Sequence, residues 1–129
     1  MITQKTFVYT SIQKEGYHSF PEAATNSEYA TKDDMDVSHL ANVHSHYFTI
    51  KVWIEVTHSN RQIEFLQLRR RLEQLYGTGA LSLDSKSCEM IAEDLYVELN
   101  KWYPNVEIRI DVSEDNINGA YTEWIPEIS

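Results

Sequence analysis

The chain has 129 residues, with 11 Lys and Arg against 20 Asp and Glu, a formal charge of −9. That length suits one domain (residues 1–129), and the acidity argues against nucleic-acid phosphates or an anionic membrane surface as the partner. An apolar share of 42% with 12% aromatics argues against disorder, and a single cysteine excludes an internal disulfide.

In chain order, Phe7 to Ile12 and Tyr17 to Phe20 are short strand candidates, followed by a polar, acidic loop from Pro21 to His39. From His46 to His58 the pattern alternates. Phe48, Ile50, Val52, Ile54 and Val56 fall on one face, and Tyr47, Thr49, Lys51, Trp53 and Glu55 on the other, which predicts a half-buried strand. Ser59-Asn60 reads as a turn. Phe65, Leu68, Leu72 and Leu75 follow at helical spacing, and Gly77 is placed to stop that helix.

A second helix is predicted over Cys88 to Tyr103, with Ile91, Leu95, Leu99 and Trp102 as its apolar stripe. Ser87 caps it, Glu89 lies in its first turn and Pro104 ends it. Val106, Ile108, Ile110 and Val112 then alternate with Glu107, Arg109, Asp111 and Ser113 as another half-buried strand. Asn118-Gly119 signals a hairpin into Ala120 to Trp124. The order ββααββ predicts an α+β domain: a four-stranded antiparallel sheet with two helices on one face. The start, Met1-Ile2-Thr3-Gln4-Lys5, lacks a signal peptide's apolar run, and no stretch approaches the ~20 apolar residues that span a bilayer. The plain expectation is a soluble, cytoplasmic protein.

The pair His44-x-His46 is the most informative feature. Two apart on a strand, both imidazoles point to one face, and their even numbering makes it the face of Phe48, Ile50 and Val52. Imidazoles that continue an apolar stripe need hydrogen-bond partners or a shared metal ion. The alternative is a frayed strand start in solvent. His18, between Tyr17 and Phe20, is the best-placed third ligand and His39 the rival; His58 reads as surface. Three histidines with an open fourth position make a catalytic-type zinc site.

Glu114 extends the stripe Val106–Val112 by one inward step. A carboxylate there either accepts the paired N–H donors of an aminopyrimidinone ring or marks a strand that has already ended in water. Cys88 is a nucleophile candidate or a small buried residue opening a helix. Arg69-Arg70-Arg71 reads as a solvated helix face. Trp53, Trp102 and Trp124 read as core or subunit contacts.

Taken in order, these pieces resemble the family of 6-pyruvoyl-tetrahydropterin and 6-carboxytetrahydropterin synthases, from about His18 to about Tyr121. His18 with Phe20 and Ala23-Ala24 is similar to the family's first zinc histidine. His44-Ser45-His46-Tyr47 resembles its His-Gly-His-aromatic element. Ile63-Glu64-Phe65-Leu66-Gln67-Leu68 and Ser87-Cys88-Glu89-Met90-Ile91-Ala92 resemble its two helix starts. Val112-Ser113-Glu114 resembles the strand with its pterin-anchoring glutamate, and Ala120-Tyr121 the strand after it.

The resemblance implies a tunnelling fold whose subunits join edge to edge as a trimer or hexamer, with sites between them. It also implies zinc on His18, His44 and His46, and a pterin ring gripped by Glu114 near Ser87 and Cys88. Dihydroneopterin triphosphate or a related pterin would be the substrate of a lyase serving tetrahydrobiopterin, folate or deazapurine (queuosine) synthesis.

Two departures matter. The family's catalytic cysteine falls at Leu40, which cannot move a proton, and its Asp-His pair is matched only by Leu83-Asp84-Ser85. Loss of a general base costs ~10²–10⁴ in rate. His39, Asp84 or Cys88 would have to replace it. Otherwise the chain is a zinc- and pterin- or purine-binding protein of this fold without lyase activity, or an oligomeric structural protein with vestigial histidines.

Overall fold

A computed structural model describes residues 1–127. Its elements are β1 (Thr6–His18), β2 (His44–Val56), α1 (Phe65–Tyr76), β3 (Leu81–Ser82), α2 (Cys88–Trp102), β4 (Ile108–Glu114) and β5 (Asn118–Trp124). The domain is α+β, with two helices and a five-stranded open sheet in the order β3-β1-β2-β4-β5. The β1–β2 ladder is antiparallel and unbroken, from Thr6 opposite Val56 to His18 opposite His44. β2–β4 and β4–β5 are also antiparallel.

The alternation in β2 does what period two requires. Phe48, Ile50, Val52 and Ile54 are buried with Ile12 of β1 and Ile108, Ile110 and Val112 of β4. Both helices cover that face. Leu68 and Leu72 of α1 and Ile91, Leu95 and Leu99 of α2 complete one apolar cluster. Each such side chain contributes about 1.5–3 kcal/mol on burial.

Glu64 caps α1 by accepting from the Gln67 N–H (2.7 Å), and Gly77 ends it at φ 72°. Ser87 caps α2 by accepting from the Met90 N–H (3.2 Å). Tyr96 stacks on Trp124 of β5, with ring centroids 4.5 Å apart. The opposite face of the sheet is open among the described residues, with Tyr9, Tyr17, Tyr47 and Tyr121 exposed on it. No helix among the described residues is long and apolar enough to cross a membrane.

Several expectations change. The two short strand candidates at the start are one 13-residue strand that ends at His18, before Phe20. The sheet has five strands and not four, because the short connection between the helices lays Leu81–Ser82 parallel to Gly16–Tyr17. Two residues carry no period for a pattern to reveal. Within the Pro21 to His39 loop lies a 3-10 turn, Pro21–Ala24, with Ala23 buried, and a second, Ser38–Ala41, closes it.

The stripe predicted for α1 narrows to Leu68 and Leu72. Phe65 and Leu75 are 63% and 39% exposed, since α1 packs on β1, which is flanked on its outer side only by the short β3. The hairpin turn is at Asp115-Asn116 and not at Asn118-Gly119. Both turn residues have left-handed φ (53° and 58°), and the Ile117 N–H closes the turn on the Glu114 carbonyl at 3.0 Å. Asx side chains tolerate that region better than other non-glycine residues. Asn118 and Gly119 are already strand.

Glu107, expected on the polar face, is 1% exposed. It precedes the regular ladder, so parity does not govern it, and two cations reach it: Lys5 Nζ and Arg109 Nε, each at 2.6 Å. Burial pushes the carboxyl up, but the hydrogen bonds from Lys5 and Arg109 outweigh that and hold it below its usual 4.5. A depressed folded pKa gives stability that is present above the unfolded value and lost as pH falls through the folded one. Glu107→Gln should therefore lower the denaturant midpoint clearly at pH 7. Its deficit against the wild type should shrink as pH drops below 4.5. A deficit equal at pH 7 and pH 3 would refute the ion-pair role.

Candidate metal centre and cleft

The site forms where β1 ends and β2 begins. His18 sits directly opposite His44 in the ladder, and Gly16 directly opposite His46. All three histidines share the even, helix-covered face. Their metal-binding atoms lie within 4.8 Å of one another, so the cluster could hold a metal ion. Gly16 is needed here. A Cβ at that position would lie 3.0 Å from both Phe48 and Leu83, and Phe48 is the ring against which His18 and His46 pack edge-on.

Each histidine is oriented by a different segment. His18 Nδ1–H donates to the Lys86 carbonyl (2.8 Å), His44 Nδ1–H to the Asn42 carbonyl (2.7 Å), and His46 Nδ1–H to Asp115 Oδ2 (2.7 Å). A carbonyl or an ionised carboxylate only accepts, so Nδ1 must carry the hydrogen and the neutral ring keeps a bare lone pair on Nε2. His46 Nε2 is buried and makes no hydrogen bond among the described residues, with Glu114 Oε2 3.3 Å away. Lone pairs brought together with nothing to accept from are costly, and a cation is what they fit. Orientation of metal-binding histidines through Nδ1 by carbonyls and carboxylates is the usual supporting arrangement.

Asp115 is held in turn. Its Oδ1 accepts from the Tyr47 N–H at 2.9 Å, and its own N–H donates to the Tyr47 carbonyl at 2.8 Å. The hydrogen bond from His46, then that from the Tyr47 amide, keeps its carboxyl below the usual range.

A cleft of 720 Å³ opens beside the histidines. Phe20, Tyr29 and Leu40 form its apolar wall, with Phe20 and Tyr29 edge to face at 4.9 Å. Ser87, Cys88 and Glu114 line the opposite part, at the start of α2 and the end of β4. Glu114 is a quarter exposed. Its Oε1 lies 3.1 Å from His18 Nε2 and its Oε2 3.3 Å from His46 Nε2. Cys88 is buried, and its thiol approaches Glu114 Oε1 at 3.8 Å. Burial, with Glu114 and Glu89 near by, pushes the Cys88 thiol up to about 12 from an ordinary 9.0.

The structure thus brings His18, His44, His46, Glu114, Ser87 and Cys88 to one place. His39 and Asp84 are exposed and do not line the cleft. Asp84 acts through its backbone, its carbonyl accepting from the Ser19 N–H at 2.9 Å. His58 is exposed on the turn after β2. Sequence reasoning missed Asp115, Tyr29 and the carbonyls of Lys86 and Asn42. Only Asp115 carried a signal, as a carboxylate next to Glu114 at a turn-forming Asp-Asn.

No family model matches the sequence, and no curated protein matches it significantly.

Two measurements bear on this geometry. His44→Ala and His46→Ala should each abolish stoichiometric divalent-metal binding, and Asp115→Asn should weaken it about 10–100-fold. His58→Ala should leave it unchanged. Full metal occupancy in either histidine variant would refute the cluster as a metal centre. Separately, Cys88 should resist alkylation at pH 7.5. Its thiolate fraction is about a thousandfold below that of a free thiol, partly offset by the greater nucleophilicity of a more basic thiolate, which leaves a rate on the order of 10²-fold slower. A rate equal to that of free cysteine would refute the protonated thiol.

Proposed function

We propose that this chain is a zinc protein of the tunnelling-fold kind that binds a pterin ring in the cleft and acts as a lyase on dihydroneopterin triphosphate or a related pterin. The observation that carries the reading is the convergence of three histidine lone pairs, one of them buried and without a hydrogen bond among the described residues, beside a carboxylate in an open cleft. His18, His44 and His46 would hold the ion. When bound, zinc would hold the substrate's side-chain hydroxyls and acidify them.

The chain's own residues supply recognition. Glu114 accepts the two parallel N–H donors of a 2-aminopyrimidinone, a bidentate match that a carboxylate makes well. Phe20, Tyr29 and Leu40 offer an apolar wall to the ring and keep water from it. Cys88 keeps its proton at neutral pH, and its thiol donates toward Glu114 Oε1 at 3.8 Å, leaving Oε2 fully available to accept from the ring.

Self-association as a trimer or hexamer belongs to the same reading. The outer edge of β5 has no strand beside it among the described residues, and the aromatic face of the sheet has no cover. An exposed edge is a ready site for strand pairing with another copy.

A second reading, a metal- and pterin-binding protein without lyase activity or with a different reaction, is favoured by one observation. The candidate bases His39 and Asp84 point to solvent outside the cleft, and Leu40 occupies its wall. The deciding experiment is metal content together with an assay on dihydroneopterin triphosphate. About one zinc per chain with consumption of the substrate is the expected result. Zinc and pterin binding without turnover would select the second reading, and a purified protein that takes up no zinc would overturn both.

A further inference from the structure

Glu114 is closer to the histidines than ring recognition alone requires. Its two oxygens lie 3.1 and 3.3 Å from the Nε2 atoms of His18 and His46. Two nitrogen or oxygen donors on one tetrahedral ion, each about 2.0–2.2 Å from it, are separated by about 3.3–3.6 Å. Towards two of the three histidines the carboxylate therefore stands at or slightly inside the spacing of a fellow ligand, one oxygen to each. It is also aimed there by the fold. Glu114 is opposite Phe48 in the β2–β4 ladder, on the same face as His46. Asp115, the next residue, is tied to both His46 and the Tyr47 backbone, so the end of β4 cannot drift from the histidines. Charge agrees: one ligating carboxylate and one supporting carboxylate together offset the two positive charges of a divalent ion.

We propose that in the ligand-free protein Glu114 is the fourth protein donor to the metal held by His18, His44 and His46, so that the site is closed until a ligand draws the carboxylate away. The metal site is that of the reading above; the closure by Glu114 goes beyond it. A carboxylate cannot coordinate the ion and accept two ring N–H donors at the same time. Arrival of the ring and opening of the fourth coordination position are then one event. Molecules that cannot satisfy Glu114 leave the site closed, which is a specificity device built from one side chain.

The test uses the intact protein loaded with Co²⁺, whose visible absorption reports coordination number and donor type, and chelator competition for Zn²⁺. Wild type without ligand should give the intense absorption of a four-coordinate site. Glu114→Gln should bind zinc more than about 100-fold more weakly, beyond the range expected for a mere supporting partner, and should show the weaker absorption of a site that has taken up water. Dihydroneopterin added to the wild type should shift the spectrum in the same direction. Glu114→Asp, which keeps the charge on a shorter arm, gives the same readouts if the Gln variant fails to fold.

Unchanged zinc affinity and an unchanged cobalt spectrum in a folded Glu114 variant would overturn the proposal. Weakened metal binding in the variant without any binding of dihydroneopterin to the wild type would keep Glu114 as a ligand and overturn the pterin reading instead. Dihydroneopterin binding that leaves the wild-type cobalt spectrum unmoved would keep the pterin reading and overturn the closure.

Discussion

The register of β1 against β2 is the constraint on which the site depends. Thirteen consecutive pairs end with His18 opposite His44, and a slip of one residue would turn every side chain of a strand to the other face. That slip is opposed by the burial of Ile12, Phe48, Ile50, Val52 and Ile54, each worth about 1.5–3 kcal/mol. The histidines contribute little to that stabilisation. They inherit their positions from apolar residues further along the same strands, and the cluster is as well defined as the core that enforces it.

Orientation is a separate matter from position. Each ring is turned by an acceptor from a different stretch of chain: Lys86 after β3, Asn42 before β2, and Asp115 after β4. The two-residue strand β3 acquires its purpose here. Pairing with Gly16 and Tyr17, extended by the Leu83 N–H on the Tyr17 carbonyl at 3.0 Å, lays the connection between the helices along the end of β1. The Lys86 carbonyl is thereby delivered to His18, while the adjacent Ser87 caps α2 and Cys88 begins it. One short segment sets a histidine tautomer and the start of the helix that lines the cleft.

Much of the fold was legible because it is periodic. The alternation from Phe48 to Val56 and the capped stripe from Ser87 to Trp102 name their elements and their buried faces. Parity also put His44, His46 and Glu114 on the core side. What was illegible is what has no period or no local cause. Spacing alone could not choose between His18 and His39, and only the ladder register brings His18 to His44. Glu107 is buried because Lys5, 102 positions away, reaches it. Asn118-Gly119 carries the commonest hairpin signal, yet Asp115-Asn116 takes the turn, since strand pairing from Glu114 to Asn118 leaves the glycine inside β5. A Cβ on Gly119 would lie 2.3 Å from the Val112 carbonyl oxygen, so glycine serves close approach there and not turning.

The charge of the cleft limits what can enter it. Its lining carries Glu22, Glu89 and Glu114 against Lys86, and the Lys86 ammonium is already paired with Asp94. A triphosphate brought into this lining by one chain meets like charge with no unpaired cationic side chain among the described residues of the lining to offset it, and the low dielectric of a partly enclosed site strengthens that repulsion. A divalent ion on the histidines would offset part of it. On the proposed pterin reading the remainder would come from basic groups outside this lining, such as those of an edge-to-edge neighbour. On that same reading, recognition of a triphosphate and self-association would be linked by electrostatics: one chain alone would suit the ring, and an assembly the ring with its phosphates.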